Sequence, residues 1–108
     1  MKRHTVHLTS EAEADLLDVF EYVARNDSLA NACHVLGELE TLILSLDQQP
    51  GRGHYPPELI EHGVKDYREV LFKPYRLIYE VKGDRVFVLV CFDGRRDMQL
   101  LLERRLLR

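Results

Sequence analysis

The sequence predicts an α+β domain of two layers, in which an N-terminal strand and an αα-hairpin pack on an antiparallel sheet of about four strands. Three runs between Tyr67 and Phe92 alternate in polarity or are apolar throughout, which is typical of β-strands. Two amphipathic segments precede them, from about Glu11 to Arg25 and from about Leu29 to Gln48. Because these two helices follow one another in the chain, we expect them to pack together on one face of the sheet.

The first helix should follow a short strand, His4 to Leu8. Ser10 and Glu13 have the spacing of a capping box, in which the two side chains bind amides of the first helical turn. The apolar stripe predicted for this helix consists of Leu16, Leu17, Phe20, Val23 and Ala24. Asn26-Asp27 ends the helix, and Ser28 is a suitable N-cap for the next one.

The second helix has a longer apolar stripe at helical spacing. It consists of Ala32, Val35, Leu36, Leu39, Leu42, Ile43 and Leu46. Pro50-Gly51 ends this helix, and residues 52–63 are predicted to form a loop. At the other end of the chain, Met98 to Arg108 is rich in leucine and arginine, which indicates a short C-terminal helix.

The three strands after the loop should form an antiparallel meander, joined at Lys73-Pro74 and at Gly83-Asp84. Glycine at the first position of a two-residue loop suits a type II′ hairpin turn. In the last strand, alternation places four residues on one face: Val86, Val88, Val90 and Phe92. The residues between them are apolar as well, so we expect this strand to be central or covered on both faces.

The length of 108 residues predicts a single domain, residues 1–108. The first eight residues contain no apolar stretch of the kind that signal peptides have, and no apolar run approaches the roughly 20 residues of a membrane span. Two cysteines, Cys33 and Cys91, do not make a disulfide framework. We therefore expect a cytoplasmic protein without a membrane partner.

Charge is distributed unequally along the chain. The net charge of −3 combines a balance of −7 before Lys65 with a balance of +4 from Lys65 onward. A basic half favours an anionic partner, although a solvated sheet edge would show the same composition.

Metal, cofactor and nucleophile chemistry find little support in the sequence. The five histidines include no helical pair at positions i and i+4, and the chain contains no phosphate-binding glycine loop. The sequence therefore predicts neither a metal site nor a cofactor. His54 and Tyr55 are the weak candidates for acid–base chemistry, because their loop could approach the sheet.

Arginines are the better candidates for a functional site. Four of them lie on the three strands or at their ends: Arg68, Arg76, Arg95 and Arg96. A sheet can bring such residues together, and clustered guanidinium groups bind phosphate or carboxylate in forked geometry. Gly94 is expected to allow a sharp turn with a positive φ, which would present Arg95 and Arg96 at the end of the last strand.

Each arginine also has a structural alternative. Arg68 could pair with Glu80, and Arg96 could pair with Asp97. Alternation predicts that Arg68 and Arg76 share a face of the sheet that also carries apolar residues. Arg76 could therefore belong to a buried ion pair, and the sequence leaves the two interpretations open.

Five spaced segments together resemble a known family. They are Ala12-x-Ala14-Asp15-Leu16, Pro57-Glu58-Leu59, Tyr67-Arg68-Glu69, Lys73-Pro74-Tyr75-Arg76-Leu77-Ile78-Tyr79 and Asp93-Gly94-Arg95-Arg96-Asp97. The set resembles the RelE/ParE superfamily of bacterial toxins, the toxin halves of type II toxin–antitoxin modules. The resemblance covers nearly the whole chain and has the same order of elements.

The resemblance implies one of two activities. RelE-like toxins cleave mRNA in the ribosome with basic residues and, in RelE itself, a tyrosine near the C-terminus, whereas ParE-like toxins poison DNA gyrase. Arg76 and Arg96 match RelE arginines and would be catalytic in a RelE-like toxin. Leu102 stands where RelE has its tyrosine, and the segment from Met98 onward has no Tyr or His. The turn from Asp93 to Asp97 resembles ParE more closely.

The leading hypothesis is therefore a ParE-like toxin that inhibits DNA gyrase without hydrolytic chemistry and binds its target through Arg68, Arg76, Arg95 and Arg96. A ribosome-dependent mRNA endoribonuclease is the alternative, and a binding domain without toxicity is the third hypothesis. The resemblance implies a ParD- or RelB-like antitoxin, which would lay a helix and an extended acidic tail on this domain.

Overall fold

The computed structural model describes residues 3–107 and has the predicted order of one strand, two helices, three strands and a final helix. The elements are β1 (Thr5–Leu8), α1 (Ser10–Asn26), α2 (Leu29–Leu44), α3 (Pro57–Ile60), β2 (Arg68–Phe72), β3 (Tyr75–Lys82), β4 (Arg85–Asp93) and α4 (Met98–Leu106). Two 3₁₀ turns, Ser45–Asp47 and Pro50–Arg52, follow α2. The predicted α+β class is confirmed; Arg108, at the end of the predicted last helix, lies outside the described residues.

The four strands form one sheet in the order β1-β4-β3-β2. The antiparallel meander of β2, β3 and β4 is confirmed, and Gly83 has the positive φ of 60° that its hairpin turn requires. However, β1 pairs with β4 in parallel, so the sheet is mixed rather than wholly antiparallel. Parallel neighbours need a long crossover connection, and here α1, α2, α3, β2 and β3 lie between them in the chain.

A β-bulge changes the faces of β4. Ile78 pairs with Val90 but Tyr79 pairs with Val88, so Leu89 is an extra residue without a partner on β3. Val86 and Val88 consequently pack under the helical hairpin, whereas Val90 packs on the opposite face. The prediction that Val86, Val88, Val90 and Phe92 share a face is wrong, because an inserted residue reverses the alternation beyond it.

The main core lies between the helical hairpin and the sheet. Its fully buried members include Ala12, Leu39, Leu46, Leu77, Tyr79, Val86 and Val88. The N-cap of α1 is Thr9 rather than Ser10, since the Thr9 hydroxyl accepts a hydrogen bond from the Ala12 amide at 3.1 Å. The buried stripe of α1 accordingly includes Ala12, Asp15 and Leu16, and Leu17 is 56% exposed instead of buried.

The opposite face of the sheet has a second, smaller cluster. Its buried residues are Leu59, Ile78, Val90, Phe92, Met98 and Leu102. They come from the two short helices α3 and α4 as well as from the sheet, so β4 is covered on both faces as expected. The segment predicted as a loop, residues 52–63, thus contains α3, which begins at Pro57, a position where proline favours a helix start.

The segment Leu29–Asp47, formed by α2 and the turn after it, is long and apolar enough by length and composition alone to cross a membrane. The sequence had predicted no apolar run of this length. Core helices of soluble proteins meet the same criterion. Ala32, Val35, Leu39 and Ile43 of this segment are buried in the domain, and 28% of its apolar window is buried in all.

Candidate functional site

The structure does not bring the four predicted arginines into one cluster. Arg68 on β2 pairs with Tyr79, whereas Arg76 on β3 pairs with Leu71. Residues opposite one another in a pair share a face, so Arg68 lies on the side of buried Tyr79 and Arg76 lies on the other side. The prediction that Arg68 and Arg76 share a face is wrong, because the turn aligns Phe72 with Tyr75 and sets the two strands out of phase.

Arg76 is the centre of a paired-carboxylate clasp formed by Glu58, Glu69 and Arg76. Its guanidinium donates to both oxygens of Glu58, each at 2.7 Å, and to both oxygens of Glu69 at 2.7 and 2.8 Å. The Glu69 side chain is 1% exposed and that of Arg76 is 14% exposed. Hydrogen bonds from Arg76 lower the pKa of Glu58, and the two carboxylates raise the pKa of Arg76. The clasp therefore ties α3 to β2 and β3, which is the structural alternative for Arg76.

Arg68 also has local partners, but they differ from the predicted Glu80. It donates to the Gly53 carbonyl at 2.8 Å and to the Tyr55 hydroxyl at 3.2 Å, and its guanidinium lies 4.6 Å from the Tyr55 ring centre. His54 is the other acid–base candidate, and its Nε2 lies 3.3 Å from Oε2 of Glu69. Arg68 thus fastens the loop of residues 53–55 to the sheet edge, and His54 and Tyr55 contact this edge.

The turn after β4 separates the roles of Arg95 and Arg96. Arg95 Nη2 lies 2.6 Å from Asp93 Oδ2, its Nε lies 3.0 Å from Oδ1, and its amide donates to Oδ1 at 2.9 Å. The hydrogen bond from Arg95 is the main reason that the pKa of Asp93 is lowered. Arg95 is therefore ion-paired with Asp93, although the Arg95 side chain is 75% exposed.

Arg96 has no salt bridge among residues 3–107. Its guanidinium lies over the Phe92 ring, 5.1 Å from the ring centre. The predicted alternative, Asp97, instead caps α4 by accepting from the Leu100 amide at 3.1 Å. Of the four arginines, Arg96 is thus the exposed cation that remains available to a partner.

Gly94 is required by close packing rather than by a positive φ. It is not among the glycines with positive φ, which are Gly63 and Gly83, so that expectation is wrong. An added Cβ at Gly94 would lie 2.8 Å from Cδ of Arg76, and the Gly94 amide donates to the Pro74 carbonyl at 2.7 Å. The turn therefore packs against the aliphatic part of the Arg76 side chain. Through this contact the turn touches the clasp.

A second buried ion pair, Asp15 with Arg105, was missed by the sequence analysis. Arg105 donates to both Asp15 oxygens at 3.0 Å and to the Leu89 carbonyl of the bulge at 2.9 Å. Asp15 also accepts from the Cys91 amide at 3.0 Å. The signal was present, because Asp15 lies three residues after Ala12 and therefore on the core side of α1.

Two cavities flank α1, one on each side. The first, which we call the turn cavity, has a volume of about 380 Å³ and is lined by Asp15, Asp18, Val19, Tyr22, Tyr75, Cys91, Phe92, Asp93 and Arg96. The second, which we call the hairpin groove, has a volume of about 540 Å³ and is lined by Leu8, Glu13, Leu16, Leu17, Phe20, Leu36, Glu40, Ile43 and Leu44. The turn cavity opens beside Arg96, and the hairpin groove lies between α1 and α2.

The family is decided by a match to the family model described as the ParE toxin of the type II toxin–antitoxin system parDE, over residues 6–98. The chain belongs to the ParE toxin family. A comparison of the sequence with curated proteins gives no match. The ParE assignment agrees with the turn at residues 93–97, which resembled ParE more than RelE.

Two solved structures share the fold of this ParE-family chain. A chain of the chromosomal ParDE toxin–antitoxin system from P. aeruginosa superposes with a TM-score of 0.71 at 18% identity, covering 86% of this chain and 98% of that chain. A chain of the RelBE2 toxin–antitoxin complex from Mycobacterium tuberculosis has a TM-score of 0.61 at 18% identity, covering 84% of this chain and 98% of that one. The fold is thus common to structures of ParE-named and RelE-named systems.

Proposed function

We propose that this ParE-type toxin of a type II toxin–antitoxin system acts by inhibiting DNA gyrase, without cleaving RNA. The observation that carries the proposal is the clasp at Arg76. A RelE-like mechanism would need this guanidinium on the RNA, but four of its five N–H donors are already bound to Glu58 and Glu69. Binding a phosphate there would require breaking the ion pair with Glu58, which is 20% exposed, or with Glu69, which is 1% exposed.

Two further positions support the same choice. Leu102, which matches the RelE tyrosine, is 0% exposed in the smaller core cluster. Tyr75 lines the turn cavity with Arg96, but burial raises the pKa of its phenol, which therefore stays protonated near neutral pH. In-line cleavage of RNA gains from a base near the reacting hydroxyl, and neither position supplies one.

The direct test is a supercoiling assay with purified gyrase. We expect the purified chain to inhibit supercoiling, and to leave mRNA uncut on programmed ribosomes. Cleavage of mRNA without any effect on gyrase would favour the RelE-like alternative. A chain that does neither and does not arrest growth would be a binding domain without toxicity.

Arg96 is the arginine that we assign to the target, with Arg95 as its matched control. Arg96→Ala should weaken inhibition of supercoiling by about tenfold or more, because a charge-assisted contact at an interface is lost. Arg95→Ala should have a smaller effect, since Arg95 is bound to Asp93. Thermal melting of both variants should match the parent. If the two variants inhibit as well as the parent, the turn does not bind the target.

We further propose that the hairpin groove binds the amphipathic helix of the antitoxin. Leu17 and Leu44 in this groove are 56% and 68% exposed, so a partner helix would bury apolar surface that water now covers. Glu13 and Glu40 flank the groove and favour basic residues beside the helix's apolar face. An acidic tail of the antitoxin would then extend toward the basic half of the chain.

Leu17→Glu should therefore abolish co-purification with a co-expressed cognate antitoxin. The new carboxylate would lie in the apolar groove near Glu13, while the fold should persist because Leu17 is largely exposed. Leu29→Glu is the matched control, since Leu29 is 64% exposed and does not line the groove. Capture of the antitoxin by Leu17→Glu at parental yield would rule out this docking site.

A further inference from the structure

We infer that the turn cavity is an anchor pocket, which takes one aromatic or branched apolar side chain of the protein target while Arg96 binds an acidic residue next to that anchor. The inference rests on the proposed function, because it assigns the cavity to the same target. The cavity lies between α1 and the adjoining ends of β3 and β4, and its volume of about 380 Å³ falls within the usual range for binding pockets.

The inner wall of the turn cavity is apolar or electrically neutralised. Tyr75, Cys91 and Phe92 are all less than 10% exposed. The two carboxylates near this wall have cations of their own, since Asp15 is bound by Arg105 and Asp93 by Arg95. Burial raises the pKa of the Cys91 thiol to about 12, so this group carries no charge at neutral pH. The wall therefore suits an uncharged side chain.

The rim of the cavity has the residue types that dominate protein interfaces. Tyr22 is 63% exposed, and its hydroxyl has no hydrogen bond among residues 3–107. Arg96, which also lines the cavity, extends over the ring of Phe92. Tyrosine and arginine around a desolvated pocket are the usual composition of an interface hot spot. The charge of Arg96 favours a carboxylate on the partner beside the inserted side chain.

Other occupants fit the cavity less well. A cationic side chain would meet Arg96 and would find one carboxylate without a salt bridge among the described residues, Asp18. A metal ion has no site, since no group of three or more His, Cys, Asp or Glu among residues 3–107 could hold one. The antitoxin helix is assigned to the hairpin groove, which shares no lining residue with the turn cavity.

The experiment compares Tyr22→Ala with Leu29→Ala in the gyrase supercoiling assay. Both residues are exposed, so neither variant should lose its fold, and Leu29 lies outside both cavities. Loss of a hot-spot aromatic should weaken inhibition by about 30-fold for Tyr22→Ala, whereas Leu29→Ala should inhibit like the parent. Val19→Phe, which fills the cavity from α1, should weaken inhibition in the same way.

Two readouts distinguish the possible failures. Antitoxin capture and melting temperature should be unchanged in Tyr22→Ala, because a general structural defect would alter them too. Asp18→Asn should keep parental inhibition; a loss as large as that of Tyr22→Ala would mean that the occupant is cationic and would overturn the inference. Equal inhibition by Tyr22→Ala and the parent would also overturn it. A parent protein that does not inhibit gyrase would contradict the proposed function itself, and this outcome differs from a parent that inhibits gyrase equally with and without Tyr22.

Discussion

Arg76→Ala is expected to lower the free energy of unfolding by about 3–5 kcal/mol, the usual cost of removing one partner from a buried ion pair. The variant leaves Glu69, which is 1% exposed, with the His54 ring, 3.3 Å away, as its remaining close side-chain partner. It also releases Glu58, and with it the attachment of α3 to β3. The melting temperature should fall by more than about 10 °C.

The pH dependence of the stability lost in Arg76→Ala tests whether the ion pair with Glu58 is its cause. Arg76 holds the pKa of Glu58 below its ordinary value of 4.5 in the folded protein. A carboxyl group with a lowered folded pKa stabilises the fold above its unfolded pKa, and this contribution is lost as the pH falls through the folded pKa. The difference in the free energy of unfolding between the parent and Arg76→Ala should therefore be constant from pH 6 to 8 and become smaller below about pH 4.5.

Two further variants, Arg76→Lys and Arg95→Ala, serve as controls for the loss of the clasp. Arg76→Lys keeps the charge but cannot bind two carboxylates in forked geometry, so it should recover part of the loss. Arg95→Ala removes an exposed pair with Asp93 and should leave the melting temperature unchanged. If Arg76→Ala melts like the parent, the clasp does not stabilise the fold, and Arg76 becomes available again as a contact for RNA or protein.

Local patterns predicted most of the elements. The spacing of Ala32, Val35 and Leu39 identified the buried face of α2, and the turns at Lys73-Pro74 and Gly83-Asp84 identified the meander. These signals are local because helix period, capping and two-residue loops depend on neighbouring residues. They do not depend on which strand lies beside which.

The faces of β4 could not be predicted from the same patterns. Leu89 is the bulged residue, but the run from Val86 to Phe92 is apolar at every position and so gives no phase for alternation. The parallel pairing of β1 with β4 is likewise a long-range result, since the two strands are separated by most of the chain. Register between distant strands follows from packing rather than from local sequence.

The contacts of the predicted arginines could be foreseen from the sequence only in part. The sequence placed Arg95 and Arg96 together in the turn after the last strand, and the structure pairs Arg95 with Asp93 and leaves Arg96 exposed without a salt bridge among residues 3–107. The partners of Arg76 come from segments that are distant in sequence, so charge counting along β3 could not reveal them. Several segments that carried the family resemblance thus meet in ion pairs that hold the fold together.

Asp15→Ala is expected to destabilise the protein by about 3–5 kcal/mol as well, since it leaves Arg105 without its main carboxylate. The Arg105 side chain is 16% exposed, and Asp15 is 6% exposed. The change also leaves the Cys91 amide without its acceptor, at the place where the bulge interrupts the ladder. α1, β4 and α4 would all lose a shared contact.

Two measurements separate the charge from the hydrogen bond in this second ion pair. Asp15→Asn keeps an oxygen for the Cys91 amide but has no charge for Arg105, so it should be destabilised less than Asp15→Ala in chemical denaturation. In native-state hydrogen exchange, the Cys91 amide should lose protection in Asp15→Ala and keep it in Asp15→Asn. Equal stability of Asp15→Ala and the parent would show that the three elements hold together by apolar packing alone, with the Asp15–Arg105 pair contributing nothing measurable.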